Sequence, residues 1–300
     1  MIHYIVNPTA GAGKALAAIP LIEKAMRESK RPYEFIYTEK PDDVERVSAL
    51  INRSEGADSA IVCVGGDGTT QEYVGLCVGS GARFGIIPAG SGNDFLRSVP
   101  GGVRKFRSFE EKILFHVEKI LHGNAVDIDV IAINGKRHLL NIGGAGLDIQ
   151  VLKDAIPLKK RFGSAAYLLS LVKNAASYNS MEMSLTIDGV RETGRYTIIA
   201  VCNGRYYGGN LRVAPPALID DGKITLCKVA AMSKLKRIMM FPTVKPGWHS
   251  RMKETSFVEC STVKFEYNGV MTINLDGNLV DYESPLEFKI IRGAVKLIGF

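Results

Sequence analysis

The stretch AIVCVGGDGT, residues 60–69, sets five apolar residues directly before two adjacent glycines and an Asp-Gly pair. A short apolar run bounded by glycine is typical of a parallel strand that is buried on both faces. Because glycine has no side chain, backbone N–H groups in such a turn can approach a phosphate closely. Asp67 would repel a phosphate unless it acts through a metal ion, a water molecule or a hydroxyl proton. The stretch predicts a buried strand, a phosphate-contacting turn and a helix from about Thr69 to Val78; an ordinary tight turn is the alternative.

Strand–helix units lie on both sides of this stretch. Apolar strand-like runs occupy residues 2–6, 32–38 and 84–90, and helical patterns occupy about residues 14–28, 41–53 and 106–123. Repeated strand–helix units predict a parallel sheet with helices on both faces. Residues 1–124 are therefore predicted to form an α/β nucleotide-binding domain.

Two more glycine-rich turns follow predicted strands in this half. NPTAGAGK covers residues 7–14 and PAGSGND covers residues 88–94. The first is not a P-loop, because Pro8 stands where GxxxxGK needs glycine, and Leu16 breaks a GxGxxG pattern. Taken alone, each is also compatible with a plain turn. Because ligands bind at the carboxyl edge of open α/β sheets, the three turns are expected to converge on one nucleotide.

The second half of the chain has a different pattern. Short alternating strands dominate from Met181 onward, and residues 148–178 are helical in character. Asn-Gly at 203–204 and 268–269 and Asp-Gly at 188–189 and 276–277 separate or end these strands. Residues 125–300 are predicted to form a β-sandwich domain with inserted helices.

Composition narrows the function only partly. The net charge of +7 and the pI of about 9.1 suit polyphosphate, nucleic acid or an anionic membrane and select none of them. The five cysteines form no CxxC, so neither a disulfide framework nor a zinc site is indicated. Nucleic-acid binding is not expected, because no recognised motif for it is present. With no targeting segment and no apolar stretch of about 18 residues, a cytoplasmic protein is expected.

The motifs together resemble the diacylglycerol kinase catalytic domain family. The resemblance rests on NPTAGAGK, GGDGT, PAGSGND and NGRYYGGNLRVAPPALIDDGKI, residues 203–224, and extends over the whole chain in the same order. This family includes bacterial lipid kinases and sphingosine kinases and is related to NAD kinases and phosphofructokinases. GGDGT alone is shared with NAD kinases. The resemblance implies two domains, with ATP in the cleft and a β-rich second domain that contacts metal and lipid.

Residue by residue, the resemblance implies a nucleotide site and a magnesium site. The expected nucleotide contacts are Asn7, Pro8, Thr9, Ala10, Gly11, Lys14, Thr38, Gly65, Gly66, Asp67, Gly68, Thr69, Gly90, Ser91 and Asp94. Asp67, Asp94 and Asp127 are expected in a carboxylate–water network around Mg²⁺. Asp221 matches a metal-anchoring carboxylate, and Leu218 and Lys223 match backbone oxygen donors. Mg²⁺ prefers such oxygen ligands with retained waters. Without the resemblance, residues 220–222 would be interpreted as a hairpin turn.

The stretch INLDGNLV, residues 273–280, departs from the family pattern. Relatives carry a glutamate, the proposed general base, where this chain has Asn278. An amide cannot accept the proton, and a positioned base contributes typically about 10²–10⁴-fold. Asp67 is the best substitute and Asp276 the next. Asp281 and Glu283 are further carboxylates within reach of the same stretch.

The sequence therefore predicts an ATP- and Mg²⁺-dependent kinase of a lipid hydroxyl, peripheral at the membrane. Two alternatives stay open: a kinase of a soluble acceptor such as NAD, and a nucleotide- or lipid-binding protein without turnover. A dehydrogenase is disfavoured, because no GxGxxG follows the first strand. Basic and apolar residues alternate in 159–173 and 234–253, which suits an anionic membrane, although solvated cations beside core-facing residues are the commoner interpretation of each stretch. A homodimer is among the arrangements allowed.

Overall fold

The computed structural model describes residues 1–39, 43–51, 59–102, 104–162 and 165–299. The strands are β1 (Ile2–Val6), β2 (Tyr33–Tyr37), β3 (Ala60–Gly65), β4 (Arg83–Pro88), β5 (Ala125–Ile133), β6 (Arg137–Leu139), β7 (Ile142–Gly146), β8 (Met181–Ile187), β9 (Val190–Cys202), β10 (Ile224–Ala230), β11 (Thr255–Cys260), β12 (Thr262–Glu266), β13 (Val270–Leu275), β14 (Asn278–Glu283) and β15 (Leu286–Ile298). The helices are α1 (Lys14–Ser29), α2 (Val44–Ile51), α3 (Asp67–Tyr73), α4 (Phe109–His122), α5 (Leu147–Phe162), α6 (Ala165–Ser177) and α7 (Lys234–Val244). Short 3₁₀ helices cover Val74–Leu76, Phe95–Arg97 and Trp248–Arg251.

The chain forms two compact units. The first contains Met1–Val130, Ile219–Gly222 and Ile291–Phe300, and the second contains Ile131–Leu218 and Lys223–Ile290. Two short segments from late in the sequence thus belong to the first unit. A single boundary along the chain does not describe this division.

The first unit is built on a parallel sheet. β1 lies between β2 and β3, β4 pairs with β3, and the end of β15 pairs with β4 through Lys296 and Leu297. All of these pairings are parallel, which confirms the predicted α/β class. β1 and β3 are buried along their whole length, because helices cover the sheet, and this explains their continuous apolar sequences.

Two helices of this unit show how local sequence sets their limits. α1 buries a stripe at helical spacing, Ala15, Ala18, Ile22 and Met26, against the sheet. Ser108 caps α4 by accepting the N–H of Glu111 at 3.0 Å, so this helix begins at Phe109 rather than at 106. α3 begins at Asp67 rather than at Thr69 and ends at Tyr73, where the chain tightens into a 3₁₀ turn.

The second unit is dominated by antiparallel strands, which confirms the predicted β-rich domain. Its strands lie in the order β14-β13-β7-β9-β8-β12-β15, and β10 pairs with β9 and β11. Alternate side chains of these strands form one apolar core, which includes Leu185, Val201, Phe265 and Phe288.

The turn signals of this unit have mixed outcomes. Asp188-Gly189 and Asp276-Gly277 connect hairpins, and all four residues have positive φ, as type I′ turns require. Asn203-Gly204 ends β9, as predicted, and residues 203–223 connect it to β10. The hairpin interpretation of residues 220–222 is wrong. No strand precedes this turn, and the backbone N–H of Asp129 donates to Ile219 O at 2.7 Å.

The inserted helices α5, α6 and α7 share an apolar cluster. Leu171 and Ala175 of α6 pack with Leu147 and Val151 of α5, and Ile238 and Phe241 of α7 pack against them. Residues 163 and 164, and the side chains around them in the predicted membrane segment 159–173, lie outside the described residues. Among the helices that the structure describes, none combines the length and apolarity needed to span a bilayer.

Candidate active site

The GGDGT and PAGSGND turns touch through their backbones. The carbonyl oxygen of Gly65 accepts the N–H groups of Ala89 at 2.8 Å and of Gly90 at 2.9 Å. A Cβ atom at Gly90 would lie 2.3 Å from the Cα of Gly66. Only glycine fits at position 90, because the backbones of the two turns lie in contact there.

The NPTAGAGK turn joins the same edge of the sheet. Asn7 Nδ2 donates to Thr69 Oγ1 at 3.2 Å, while Asn7 Oδ1 accepts from the N–H of Thr9 at 3.1 Å. Gly11 has φ of +60°, and a Cβ atom there would lie 2.0 Å from Ala89 O. The expectation that the three turns gather at one edge is confirmed by these contacts.

The other predicted nucleotide contacts lie on or beside these turns. Thr38 follows β2, and its N–H donates to Val6 O at 2.9 Å. Lys14 is the exposed first residue of α1, and Ser91 is exposed at the tip of the third turn. Pro8, Ala10 and Gly68 lie within the first and second turns. Whether these residues bind a nucleotide stays a prediction.

Asp67 has one oxygen held and one available. Its Oδ1 accepts the backbone N–H groups of Asp94 at 2.6 Å and of Phe95 at 3.3 Å. A Cβ atom at Gly92 would lie 2.7 Å from Oδ2, so the chain stays open beside that oxygen only because residue 92 is glycine. The backbone N–H of Asn93 also stabilises this carboxylate, so three consecutive residues of the third turn hold Asp67.

Burial raises the pKa of Asp67 above its ordinary value, and the nearby carboxylate of Asp94 raises it further. The backbone hydrogen bonds to Asp67 oppose this shift but do not reverse it. Asp94 itself is buried, and the guanidinium Nε of Arg97 lies 3.5 Å from its Oδ1. A carboxylate with a raised pKa and a free oxygen has the properties of a general base.

Three cations lie near the glycine turns. Burial lowers the pKa of Lys112 on α4, and the charges of Lys14 and Arg97 lower it further. Burial and then the charge of Lys112 lower the pKa of His116, one helical turn along, to about 4. Cations that repel one another at one place are stabilised by a shared anion, so this cluster favours a phosphate nearby.

Asp129 holds the turn that carries Asp221. Its Oδ2 accepts the N–H of Gly222 at 2.6 Å, and its Oδ1 accepts the N–H of Gly293 at 2.7 Å. The side chain is fully buried, so both hydrogen bonds are shielded from water. Asp129 was missed by sequence reasoning, although it stands two residues after Asp127, on the same face of β5.

The predicted magnesium ligands are distributed over both units. Asp127 is exposed on β5 and Asp221 is half-buried, both in the first unit, whereas Leu218 and Lys223 belong to the second. Within the described ranges, no three His, Cys, Asp or Glu side chains form a metal-holding group. Asp127 and Asp221 supply carboxylate oxygens, and Mg²⁺ usually binds one or two carboxylates and keeps several waters. The assignments of Leu218 and Lys223 stay predictions.

Asp276 and Asn278 lie in the second unit. Both oxygens of Asp276 are occupied, because Oδ2 accepts the N–H of Asn141 at 3.0 Å and Oδ1 that of Ile142 at 2.8 Å. Asp276 has φ of +49° at the β13–β14 hairpin. Asn278 is exposed at the start of β14. This geometry gives Asp276 a structural task and leaves Asp67 as the carboxylate with a free oxygen.

Two family models match the chain. Residues 1–133 match the diacylglycerol kinase catalytic domain, and residues 142–299 match the YegS C-terminal NAD kinase beta sandwich-like domain. The second match alone covers more than half of the sequence, and together the matches follow the two-part organisation of the chain.

Individual relatives agree with these models. A diacylglycerol kinase of Mycobacterium tuberculosis is 25% identical over 95% of this chain and 90% of its own length. A diacylglycerol kinase of Bacillus subtilis is 28% identical over 72% of this chain and 70% of its own length. The crystal structure of a diacylglycerol kinase from Bacillus anthracis has a TM-score of 0.71 at 20% identity, covering 100% of this chain and 96% of that one. At this identity the structural match supports the fold alone.

Proposed function

This chain belongs to the lipid kinase family defined by the diacylglycerol kinase catalytic domain and the YegS C-terminal domain, and we propose that it transfers the γ-phosphate of ATP to a diacylglycerol-like hydroxyl. The names of its relatives support a lipid acceptor. The observation that carries the nucleotide part of the proposal is the meeting of three glycine turns around Asp67.

The triphosphate would lie over these turns. Gly11, Gly66 and Gly90 carry no side chains, so the three turns can lie close together and a phosphate can approach their backbone. Lys14, Arg97 and Lys112 supply positive charge beside them. Positioning and charge neutralisation are what phosphoryl transfer chiefly requires, and these groups supply both.

In the transfer step, the acceptor oxygen forms a bond to the γ-phosphorus and the bond from that phosphorus to the β,γ-bridging oxygen breaks, releasing ADP. The proton of the acceptor hydroxyl passes to Oδ2 of Asp67, whose Oδ1 is fixed by two backbone N–H groups. A fixed carboxylate with one free oxygen accepts a proton without first rearranging.

Magnesium is the cation that this donor set suits. Asp94, Asp127 and Asp221 are the carboxylates that would hold it, directly or through water, and Asp129 fixes the turn that carries Asp221. Bound Mg²⁺ would neutralise charge on the phosphates.

A matched pair of glycine variants tests the nucleotide site. Gly11 and Gly13 both have positive φ in the same turn, but only a Cβ atom at Gly11 meets Ala89 O; at Gly13 nothing lies within 4 Å. Both alanine variants carry backbone strain of about 1–2 kcal/mol, so only Gly11→Ala also separates the turns. We expect calorimetry with a non-hydrolysable ATP analogue and Mg²⁺ to show a rise in Kd of about tenfold, or ~1.4 kcal/mol, for Gly11→Ala relative to Gly13→Ala.

Equal losses of affinity in the two variants would show that backbone strain causes the effect. The close approach of the turns would then not support a nucleotide site. No heat of binding for the wild-type protein would contradict the nucleotide site itself. Circular dichroism of each variant, recorded first, confirms that both are folded.

The acceptor needs its own test, because a kinase of a soluble acceptor also carries a GGDGT turn. Incubation with ATP and a panel of extracted lipids, followed by mass spectrometry, identifies the phosphorylated product. A thermal-shift comparison of NAD and short-chain diacylglycerol, each with the ATP analogue, separates the two acceptor classes. Stabilisation by NAD alone would replace the lipid assignment.

A binding protein without turnover is the second candidate, and the exposed Asn278 is the observation that favours it. A wild-type protein that binds ATP but phosphorylates no lipid, and that becomes active as Asn278→Glu, would establish this candidate. Turnover by the wild type, lost in Asp67→Asn, would establish the kinase.

A further inference from the structure

Helix α7 exposes apolar side chains where a surface helix normally carries polar ones. Leu235 is 68% exposed and Met239 is 61% exposed. Pro242 is exposed as well, and the spacing of 235, 239 and 242 puts all three on one helix face, here named the α7 face. Isolated exposed apolar residues need no explanation, but an aligned stripe of them does.

The opposite side of α7 explains why this face points outward. Arg237 is buried, and its guanidinium donates to Tyr178 O at 2.5 Å, to Ala175 O at 3.4 Å and to Ser180 Oγ at 3.3 Å. These acceptors lie at and beyond the C-terminal end of α6, where a cation is favoured. The helix thus buries an arginine and exposes a leucine and a methionine, so rotation to hide the stripe would break three hydrogen bonds.

Neighbouring segments extend the apolar surface. The 3₁₀ helix that starts at Trp248 packs against α7, and Trp248 is 62% exposed. On α6, which packs against α7, Leu169 is 50% exposed and Val172 is 46% exposed. These exposed side chains belong to helices that contact α7.

The charged residues of the segment that carries this surface are mostly positive. The sequence has no Asp or Glu between Asp221 and Glu254, while Lys234, Lys245 and Arg251 are exposed in that interval. Lys236 is paired with Glu254 at 2.5 Å, and Lys228 is paired with Glu192 at 2.6 Å. Cations flanking an apolar stripe match the anionic head groups and acyl boundary of a bilayer better than a mixed-charge protein surface.

We propose that the α7 face and Trp248 dock this protein onto an anionic lipid bilayer, with Leu235 and Met239 entering the interface and the flanking lysines contacting head groups. This docking gives the proposed lipid kinase access to a substrate held in the membrane, and in that respect it rests on the proposed function. The binding itself needs no ATP and is measured separately.

Trp248 is the sole tryptophan of the chain and therefore reports on its own surroundings. With vesicles of equal parts phosphatidylcholine and phosphatidylglycerol, we expect its emission to shift to shorter wavelength and brominated acyl chains to quench it. With phosphatidylcholine alone we expect a much weaker change. In sedimentation with the mixed vesicles, the Leu235→Gln/Met239→Gln variant should lose about tenfold in partitioning, because two apolar side chains no longer enter the interface.

Two further variants separate the causes. Val190→Gln/Val270→Gln removes apolar side chains that are 72% and 62% exposed on other elements, and it should bind vesicles like the wild type. Lys234→Gln/Lys245→Gln should weaken binding by about fivefold for each lysine removed, and only with phosphatidylglycerol present.

The proposal is overturned if Leu235→Gln/Met239→Gln binds vesicles like the wild type, or if the Val190/Val270 control loses as much. It is also overturned if analytical ultracentrifugation shows that the α7 variant converts a dimer to a monomer while vesicle binding persists, because a second copy then covers this face. Turnover of water-soluble, short-chain diacylglycerol is measured in parallel. If the Leu235→Gln/Met239→Gln variant loses vesicle binding but still phosphorylates the short-chain substrate, the proposed kinase activity holds. If the wild type binds vesicles but phosphorylates nothing, the docking surface holds and the proposed kinase activity is wrong.

Discussion

Asp67-Gly68 and Asp276-Gly277 are the same dipeptide in two regions of the molecule, and backbone N–H groups hold each aspartate. At Asp67 the N–H groups of Asp94 and Phe95 both bind one oxygen, Oδ1. At Asp276 one donor binds each oxygen, so both oxygens tie the hairpin to the start of β7. We propose that this distribution over the carboxylate leaves Asp67, rather than Asp276, an oxygen for the acceptor proton.

The comparison also explains why the loss of the usual glutamate at position 278 need not abolish catalysis. A carboxylate near the transferring phosphate must be fixed and yet keep a free oxygen. The GGDGT region provides both, whereas the hairpin region fixes Asp276 completely and presents Asn278, an amide. We therefore propose that the base of the reaction lies in the first region.

The largest effect is expected for Asp67→Asn. The amide preserves the shape and can still accept both N–H groups through its oxygen, but it cannot take a proton. We expect kcat to fall by about 10²–10⁴-fold, which is ~3–5 kcal/mol of barrier. Calorimetry with the ATP analogue should show binding within a few-fold of wild type. Turnover within tenfold of the wild type would remove Asp67 from the role of base.

Asp129→Asn extends the comparison to a third aspartate, which resembles Asp276 in having both oxygens bound. Its amide would direct an N–H₂ group at the N–H of Gly222 or of Gly293 and loosen the turn that carries Asp221. Loss of a residue that orients metal ligands typically costs about 10–100-fold in metal affinity. We expect the Mg²⁺ concentration for half-maximal activity, and for half-maximal thermal stabilisation, to rise by about tenfold.

Asp220→Asn is the matched control, because it also removes one carboxylate charge, from the turn itself, without touching the two hydrogen bonds of Asp129. Asp220 is exposed, so its amide should leave the Mg²⁺ dependence close to that of the wild type. Equal shifts in both variants would show that net charge, and not the position of the turn, sets the Mg²⁺ requirement.

A smaller effect, on stability rather than on catalysis, is expected for Asp276→Asn. One of its two backbone donors would face an N–H₂ group and lose its acceptor, at a cost of about 1–3 kcal/mol. Urea unfolding should show a lower midpoint with an unchanged slope. Per folded molecule, kcat should stay within about tenfold of wild type, well short of the effect of a lost base. A larger loss of kcat with unchanged stability would return the catalytic role to the hairpin.

The sequence was sufficient for the parts of this comparison that depend on local pattern. Apolar runs before glycine predict β3 and β4, and paired glycines predict a close approach of backbones. The same holds for the Asp-Gly hairpin at residues 276–277, where positive φ is a local requirement.

The hydrogen-bond distribution could not be predicted, because the donors are distant in sequence. Asp67 accepts from residues 27 and 28 positions away, and Asp276 from residues 135 and 134 positions away. Asp129 binds Gly222 and Gly293, which lie 93 and 164 positions away. Periodicity also could not reveal that α7 buries Arg237 and exposes Leu235, because that depends on the carbonyl groups at the end of α6.

The smallest expected effect is a change in Tm at neutral pH. It has opposite signs for Asp67→Asn and Asp276→Asn, and it therefore discriminates best between the two regions. Burial and the charge of Asp94 raise the folded-state pKa of Asp67 above its ordinary value of 3.8, so the folded protein binds this proton more tightly than the unfolded chain. Stability contributed by this group is present at low pH and is lost as pH rises through the folded pKa. Asp67→Asn, which carries no charge, should therefore raise the Tm slightly at neutral pH in EDTA, and the gain should vanish below about pH 4, where the wild-type carboxyl is protonated. Asp276→Asn should lower the Tm at neutral pH under the same conditions, because one of its backbone donors loses its acceptor. If thermal unfolding across this pH range showed Asp67→Asn to be destabilising at neutral pH, the Asp67 carboxylate would be a structural group like Asp276, and the distinction between the two regions would fail.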